Sequence, residues 1–345
     1  MARLGDVATY INGFAFKPSD WSAEGLPIIR IQDLTGNSYQ ANRYNGEYHP
    51  KYEVNDGDVL ISWSASLGVY IWKGEKAVLN QHIFKVVFDK TEIKKSFFVH
   101  QVQNILENAT SEAHGATMKH LTKPVFDALP FYLPIMEKQV EIATVLDEVS
   151  NLISLRKQQL AKLDELVKAR FVELFGDTKS NERKWNTLPL HKVLESGSSV
   201  SYGIVQTGDD IEGGVPVFRP IDIAGGKIPR REQLKRTAND ISNQYSRTLL
   251  KGYELLITVR GSVGETFRVT SEFAGCNVGR NIVPLRFDTE IVDYSFMQHF
   301  FAQEGTKRVL ESMTKGIALQ GLNMSEFREI DVIIPAMSLQ QQFAA

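Results

Sequence analysis

A chain of 345 residues, 43% hydrophobic and 23% charged, has the composition of a soluble globular protein and length enough for two cores of ordinary size. A formal net charge of -2 excludes a uniformly basic nucleic-acid coat protein while leaving room for local basic patches. No apolar run reaches the roughly 18 to 20 residues of a membrane span, the start lacks a basic segment followed by a long apolar stretch, and the lone Cys276 cannot form an internal disulfide, so a reducing, cytoplasmic setting is expected.

The first third alternates short runs rich in β-branched and aromatic residues, LPIIRI (26–31), DVLISW (58–63) and HIFKVVF (82–88), with Gly, Asn and Asp. This pattern predicts strands and turns. KKSFFVHQVQNILENA (94–109) follows as an amphipathic helix, and GATMKHLTKPVFDALPFYLP (115–134) closes the segment. From Pro134 to Gly176 the chain is free of Gly and Pro. Spacings of four and three link Ile142, Leu146, Val149, Ile153, Arg156, Leu160, Leu163, Val167, Arg170 and Leu174, the pattern of a heptad seam. A helix of about 40 residues spans on the order of 60 Å, longer than a domain core is wide, which predicts a strut that needs a partner.

Beyond Gly176 the first third is written again. VPVFRP, ELLITV and NIVPLRF repeat the strand runs, VDYSFMQHFFAQEGTKRVL (292–310) repeats the helix, and GIALQGLNMSEFREIDVIIP (316–335) repeats the closing segment. In register fall Gly115/Gly316, Met118/Leu319, Leu121/Leu322, Phe126/Phe327, Leu129/Ile330, Leu133/Ile334 and Pro134/Pro335. Upstream, Ser62/Thr258, Ser66/Ser262 and Gly68/Gly264 match, as do Pro27/Pro216, Arg30/Arg219 and Asp33/Asp222. A period of roughly 190 to 200 residues makes each copy a whole domain rather than a solenoid unit. The reading is therefore α+β: domain one at 1–134, a coiled-coil helix at 135–176, domain two at 177–335, and at 336–345 the start of a second, truncated helix in which Gln340 and Ala344 match Gln139 and Ala143.

This order of elements resembles the specificity subunit (HsdS) of type I restriction-modification systems. The resemblance runs over essentially the whole chain. It is carried by Leu4, Asp6, Val7 and Gly13; by Gly25, Pro27, Arg30 and Asp33; by GDVLIS (57–62) with Gly68; and by Pro134, Gln139, Ile142, Leu146, Asp147 and Ile153 with LFG at 174–176. The resemblance implies two target recognition domains, each reading half of a split double-stranded DNA target, and long helices that space them and dock methyltransferase (modification) subunits. It further implies that the methyltransferase carries S-adenosylmethionine and methylates adenine, that restriction subunits join through the complex, and that this chain holds no cofactor and no catalytic residue of its own. Because the second helix is short, self-association through the long one is also expected. Other readings are a specificity subunit of a methylation-linked type II system, a degenerate methyltransferase, and a coiled-coil assembly protein that never touches DNA.

The residues agree with a reader rather than an enzyme. No G-x-x-x-x-G-K-[ST], N-P-P-[FY] or D-P-P-Y occurs, and His and Cys do not cluster at metal spacing. Base edges are matched by Arg, Lys, Asn, Gln or Ser in loops. In the first copy the candidates are Lys17, Arg30, Gln32, Ser62, Ser64, Gln81, His82 and Lys119. In the second they are Tyr202, Gln206, Arg219, Arg260, Ser262, Arg280, Asn281, Lys315 and Gln320. Arg30 and Arg219 equally suit structural ion pairs with Asp33 and Asp222. The basic run at 226–236, with Lys227, Arg230, Arg231, Lys235 and Arg236, is either a solvated loop or a phosphate contact.

Overall fold

Strand and turn chemistry recurs twice in the computed structural model, which describes residues 1–37, 42–112, 122–315 and 321–345, with the side chains of 110–112 and 315 left aside. In the unit Met1–Gln158, the strand Val59–Ser62 is buried along its whole length. Ile83–Val87 and Gly68–Ile71 flank it, and Thr9–Asn12 lies outermost, all antiparallel. A second sheet runs in the order Arg43–Tyr44, Leu26–Ile29, Ala77–Leu79, Glu53–Val54, with Ile28 and Ile29 parallel to Val78 and Leu79. Burial on both faces explains why the central strands are apolar runs rather than alternating ones.

The unit Gln159–Ala345 repeats the plan. Leu255–Thr258 is again buried throughout, between Thr266–Arg268 and Ile282–Leu285. Val217 and Phe218 run parallel to Asn277 and Val278, as Ile28 and Ile29 run to Val78 and Leu79. In each unit the first and last strands pair: Ala2–Arg3 with Pro130–Phe131, and Asn186–Pro189 with Asp331–Ile334. Both ends of each domain therefore meet at the place where the following helix begins.

Small features repeat with the same geometry. A Cβ on Gly13 would stand 2.0 Å from the Asn80 carbonyl oxygen and one on Gly203 1.9 Å from that of Val278, so only glycine lets these loops cross the neighbouring strand. The hydroxyl of Ser62 donates to the Ser66 carbonyl, and that of Thr258 to the Ser262 carbonyl. Ala65 (φ 59°) and Gly261 (φ 80°) take the same left-handed conformation in the turns so closed.

The central helix runs Met136–Phe175 and ends at Gly176, whose φ of 80° and N–H bond to the Val172 carbonyl (2.8 Å) form a left-handed stop. Its first turns give Ala143 and Ile142 to the core of the first unit, and its last turns give Phe171 and Phe175 to the core of the second. From 144 to 170 every side chain is exposed. The expected seam is thus half-buried only at Ile142 and Leu174, while Leu146, Val149, Ile153, Leu160, Leu163 and Val167 face outward unpartnered among the described residues. The second such helix is present as Met337–Ala344.

The single helix read over 292–310 is two, Tyr294–Ala302 and Glu304–Ser312, broken at Gln303 (ψ 142°). The break lets Gly305 and Thr306 seat against the segment after the central helix: Thr306 Oγ1 donates to Thr178 Oγ1 at 2.8 Å, and a Cβ on Gly305 would come within 2.7 Å of that same Thr178 oxygen. Among the described residues no helix is long and apolar enough to cross a membrane.

Candidate nucleic-acid interface

In the second unit the crossing loop held by Gly203 carries Tyr202 and Val205 to the end of the buried strand, where Arg260 follows Val259. Ile204 N–H bonds the Val278 carbonyl and Arg280 N–H bonds the Ile204 carbonyl, both at 2.8 Å, which sets Arg280 beside this loop. Leu322 N–H bonds the Val259 carbonyl at 2.8 Å and brings in the closing segment. The result is an open cavity of about 190 Å³ lined by Tyr202, Val205, Val259, Arg260, Arg280, Leu322 and Met324. Tyr202, Arg260 and Arg280, three of the expected base readers, are brought together there from separate parts of the sequence. No carboxylate lines the cavity, and neither guanidinium has a hydrogen bond or ion pair among the described residues. Two unspent forks of N–H donors beside an exposed phenol are equipped to bind guanine edges or phosphate and to stack on a base.

A wider cavity of about 450 Å³ shares Tyr202 and Met324 with the first and adds Ser201, Gln244, Tyr245, Arg247 and Arg328. Arg328 is committed to the Val200 carbonyl (2.8 Å), whereas Arg247 has an exposed side chain. Sequence reasoning missed Arg247, Gln244 and Met324. The first two lie outside the repeated strand pattern, and Met324 carries no polar signal.

The other candidates separate by what their side chains already do. Arg219 pairs with Asp222 (2.9 Å) and Arg30 with Asp33 (3.3 Å), and each Asp also accepts the backbone N–H of its arginine, which closes the short helix that follows. Arg30 also lies over the exposed Trp21 ring at 5.9 Å, and the Gln32 amide oxygen, oriented to satisfy both groups, accepts from Arg30 Nη2 at 2.7 Å. Ser62 is fully buried in its turn bond and Ser64 is buried as well. Gln81 sits beside Phe14, with its N–H on the Phe14 carbonyl at 2.8 Å, and His82 (φ 73°) packs edge-on against Trp63. Asn281, in the place equivalent to His82, has a buried Oδ1 without a partner among the described residues. Lys17, Gln206 and Ser262 are exposed loop residues, and Trp21 and Phe14 join them as exposed aromatics that the sequence did not single out. Lys119 and Gln320 lie outside the described residues; Lys315 has a described backbone, paired with Gly321.

Of the basic run, Arg231 donates to the carbonyls of Glu272 and Ala274, Lys235 Nζ to Thr207 Oγ1 (3.1 Å), and Arg236 to the Gly214 carbonyl (3.3 Å). Lys227 and Arg230 remain exposed and uncommitted among the described residues. No group of three or more His, Cys, Asp or Glu suited to a metal ion occurs among the described residues.

Each unit is also locked to the helix that follows it by one buried glutamine. Gln139 Nε2 donates to the Pro134 carbonyl (2.9 Å) and its Oε1 accepts Lys94 N–H (3.0 Å). Gln340 does the same with Pro335 (2.9 Å) and Asp293 N–H (2.8 Å), and adds the Ile291 carbonyl (3.1 Å). Each amide thus ties the start of a helix within its domain, at Lys94 or Asp293, to the start of the helix that follows the domain.

The family model described as "Type I restriction modification DNA specificity domain" matches residues 1–165 and 190–345, one copy per repeat. The specificity subunit of the type I restriction enzyme EcoBI of Escherichia coli is 25% identical over 365 residues, covering 98% of this chain and 76% of that one. The MjaVIII specificity subunit of Methanocaldococcus jannaschii is 23% identical, covering 100% and 84%. The solved S subunit of the type I restriction-modification system from M. genitalium superposes with a TM-score of 0.50 at 14% identity, covering 99% of this chain and 86% of that one, a likeness of fold.

Proposed function

The chain belongs to the family of type I restriction-modification DNA specificity domains, and from that premise we propose that it is the non-catalytic, sequence-reading subunit of such a complex in the cytoplasm. Each domain reads one half of a bipartite duplex target. The central helix spaces the halves and, with its neighbour, docks methyltransferase subunits that hold S-adenosylmethionine, and restriction subunits join through that complex. The observation that carries this reading is the duplicated strand frame that delivers Arg260 and Arg280, unpaired among the described residues, with Tyr202 to one open cavity. Phosphate contacts position such a reader and base contacts give it sequence.

The exposed apolar stripe from Leu146 to Val167 supports a helical partner for the strut, either a methyltransferase helix or a second copy of this chain. Light scattering of the isolated chain distinguishes these, since only self-association makes a dimer without the methyltransferase.

The decisive experiment is co-expression with the methyltransferase subunit encoded beside it and mapping of adenine methylation by single-molecule sequencing. A split motif with a fixed gap, present only with this chain, is the expected result. No new methylation from a soluble, assembled complex would overturn the proposal.

A further inference from the structure

Residues 224–230 form a protruding loop on the second unit. Gly225 (φ 67°) and Gly226 (φ 71°) are both left-handed, and a Cβ on either would meet nothing within 4 Å, so the glycines serve the turn rather than packing. At the tip Ile228 is 86% exposed, followed by Pro229, whose ring fixes the backbone beneath it. Lys227 and Arg230 stand on either side, and neither makes a hydrogen bond or ion pair among the described residues. The base of the loop is pinned: Leu234 is buried, and Arg231 donates to the carbonyls of Glu272 and Ala274.

The surroundings extend the pattern. Beside the loop is a cleft of about 380 Å³ lined by Arg219, Ile221, Lys227, Ile228, Arg230 and Gln233 among others, with Ile221 63% exposed. Its one carboxylate, Asp222, is spent on Arg219, so the free charge is positive. Gly279 N–H bonds the Phe218 carbonyl at 2.9 Å, which places Arg219 of this cleft and Arg280 of the Tyr202–Arg260–Arg280 cavity on adjacent strand ends. Single exposed apolar residues are ordinary. A β-branched one on a pinned loop, stiffened by proline and bracketed by two unspent cations, is suited to polyanionic DNA: the cations take phosphates while the apolar tip parts a base step.

We propose that Ile228 is a wedge that unstacks one base step at or beside the half-site read by the second domain, with Lys227 and Arg230 holding the flanking phosphates. This rests on the DNA-reading function proposed above. The test uses the complex of this chain with its methyltransferase subunits and duplexes carrying the mapped target, with 2-aminopurine placed step by step across and around the second half-site, away from the methylated adenine.

The wild-type complex should brighten one position, and Ile228→Ala should abolish that signal and weaken binding about tenfold with an unchanged salt dependence. A Lys227→Ala/Arg230→Ala double variant should reduce the slope of log affinity against log salt by about 2. The residues are exposed, so the fold is not at stake. The wedge is overturned if no position brightens with wild type, or if Ile228→Ala brightens and binds as wild type does. A wild-type complex with no affinity for the duplex overturns the reading function itself, a result recognisable before any variant is made.

Discussion

Replacing Gln139 by leucine removes one side chain of nearly the same volume and two hydrogen bonds at once. The Pro134 carbonyl loses its 2.9 Å donor and the Lys94 N–H its 3.0 Å acceptor, in a place where Gln139 is only 2% exposed and water cannot substitute. A buried polar group left without a partner costs about 1–3 kcal/mol, so the two together cost roughly 2–4 kcal/mol after allowing for the desolvation of the amide that leucine avoids. In a unit of this size each kcal/mol lowers the melting temperature by about 2–4 °C, which predicts a fall of roughly 4–16 °C for the first unit. Gln340→Leu should cost at least as much in the second unit, because Gln340 holds the Ile291 carbonyl as well. Calorimetry on each purified variant measures both. Melting within about 1 °C of wild type for both would refute the idea that these amides lock domain to strut.

Three further outcomes follow from the same geometry. Arg260→Ala with Arg280→Ala should weaken DNA binding by the full complex and reduce its salt slope by about 2, with circular dichroism unchanged, since neither guanidinium holds the fold; an unaltered slope in a filter-binding titration would remove the cavity from the interface. Burial acts to raise the Glu254 carboxyl, but the N–H groups of Lys251, Glu254 and Gly252 and the Arg286 guanidinium (2.9 Å) outweigh it and hold the group below the usual carboxylate range. A depressed folded pKa adds stability above the unfolded value of about 4.3 that is lost as pH falls through the folded one, so the urea midpoint should drop between pH 5 and pH 3, and Glu254→Gln should flatten that part of the profile while lowering the midpoint at pH 7. Burial pushes the Cys276 thiol up to about 11, against the opposing pull of Arg231 and Arg236, so Ellman's reagent at pH 8 should leave the native chain untouched and react once it is unfolded.

The duplication, the strut and its stop at Gly176 were legible because each is written in local pattern: repeated β-branched runs, a heptad spacing and a terminal glycine. Side-chain duties that depend on distant partners were not. Ser62 read as a candidate for base edges and Thr258 as its match in the repeat, yet both are buried ties across their own turns, a role set by the burial of the strand rather than by the residue type. Gln139 and Gln340 were visible as repeat markers, but their function depends on N–H groups 45 and 47 residues away. Arg247 enters the cavity from a short helical turn with no counterpart among the motifs. The break at Gln303 is similarly tertiary, since what it permits is the close seat of Gly305 against Thr178, 127 residues away. The expected DNA contacts divide accordingly: arginines free of carboxylates remain candidates for reading, and those beside an Asp three residues on, Arg30 and Arg219, double as helix starts.

A strut with exposed apolar positions at heptad spacing also makes a ruler that can be tested by shortening it. Removing one heptad from 146–167 preserves the stripe, shortens the helix by about 10 Å and turns its far end by only about 20°. For a strut lying along the duplex, 10 Å is about three base pairs, over which the groove rotates by roughly 100°. The second domain then meets its half-site from the wrong side of the duplex. The expected result is therefore not a tidy shift of the gap by three base pairs but loss of methylation at the original target, with at most a weak motif of altered spacing. An unchanged split motif at full occupancy, from a complex that assembles normally, would show that the strut does not set the gap and that flexible joints do.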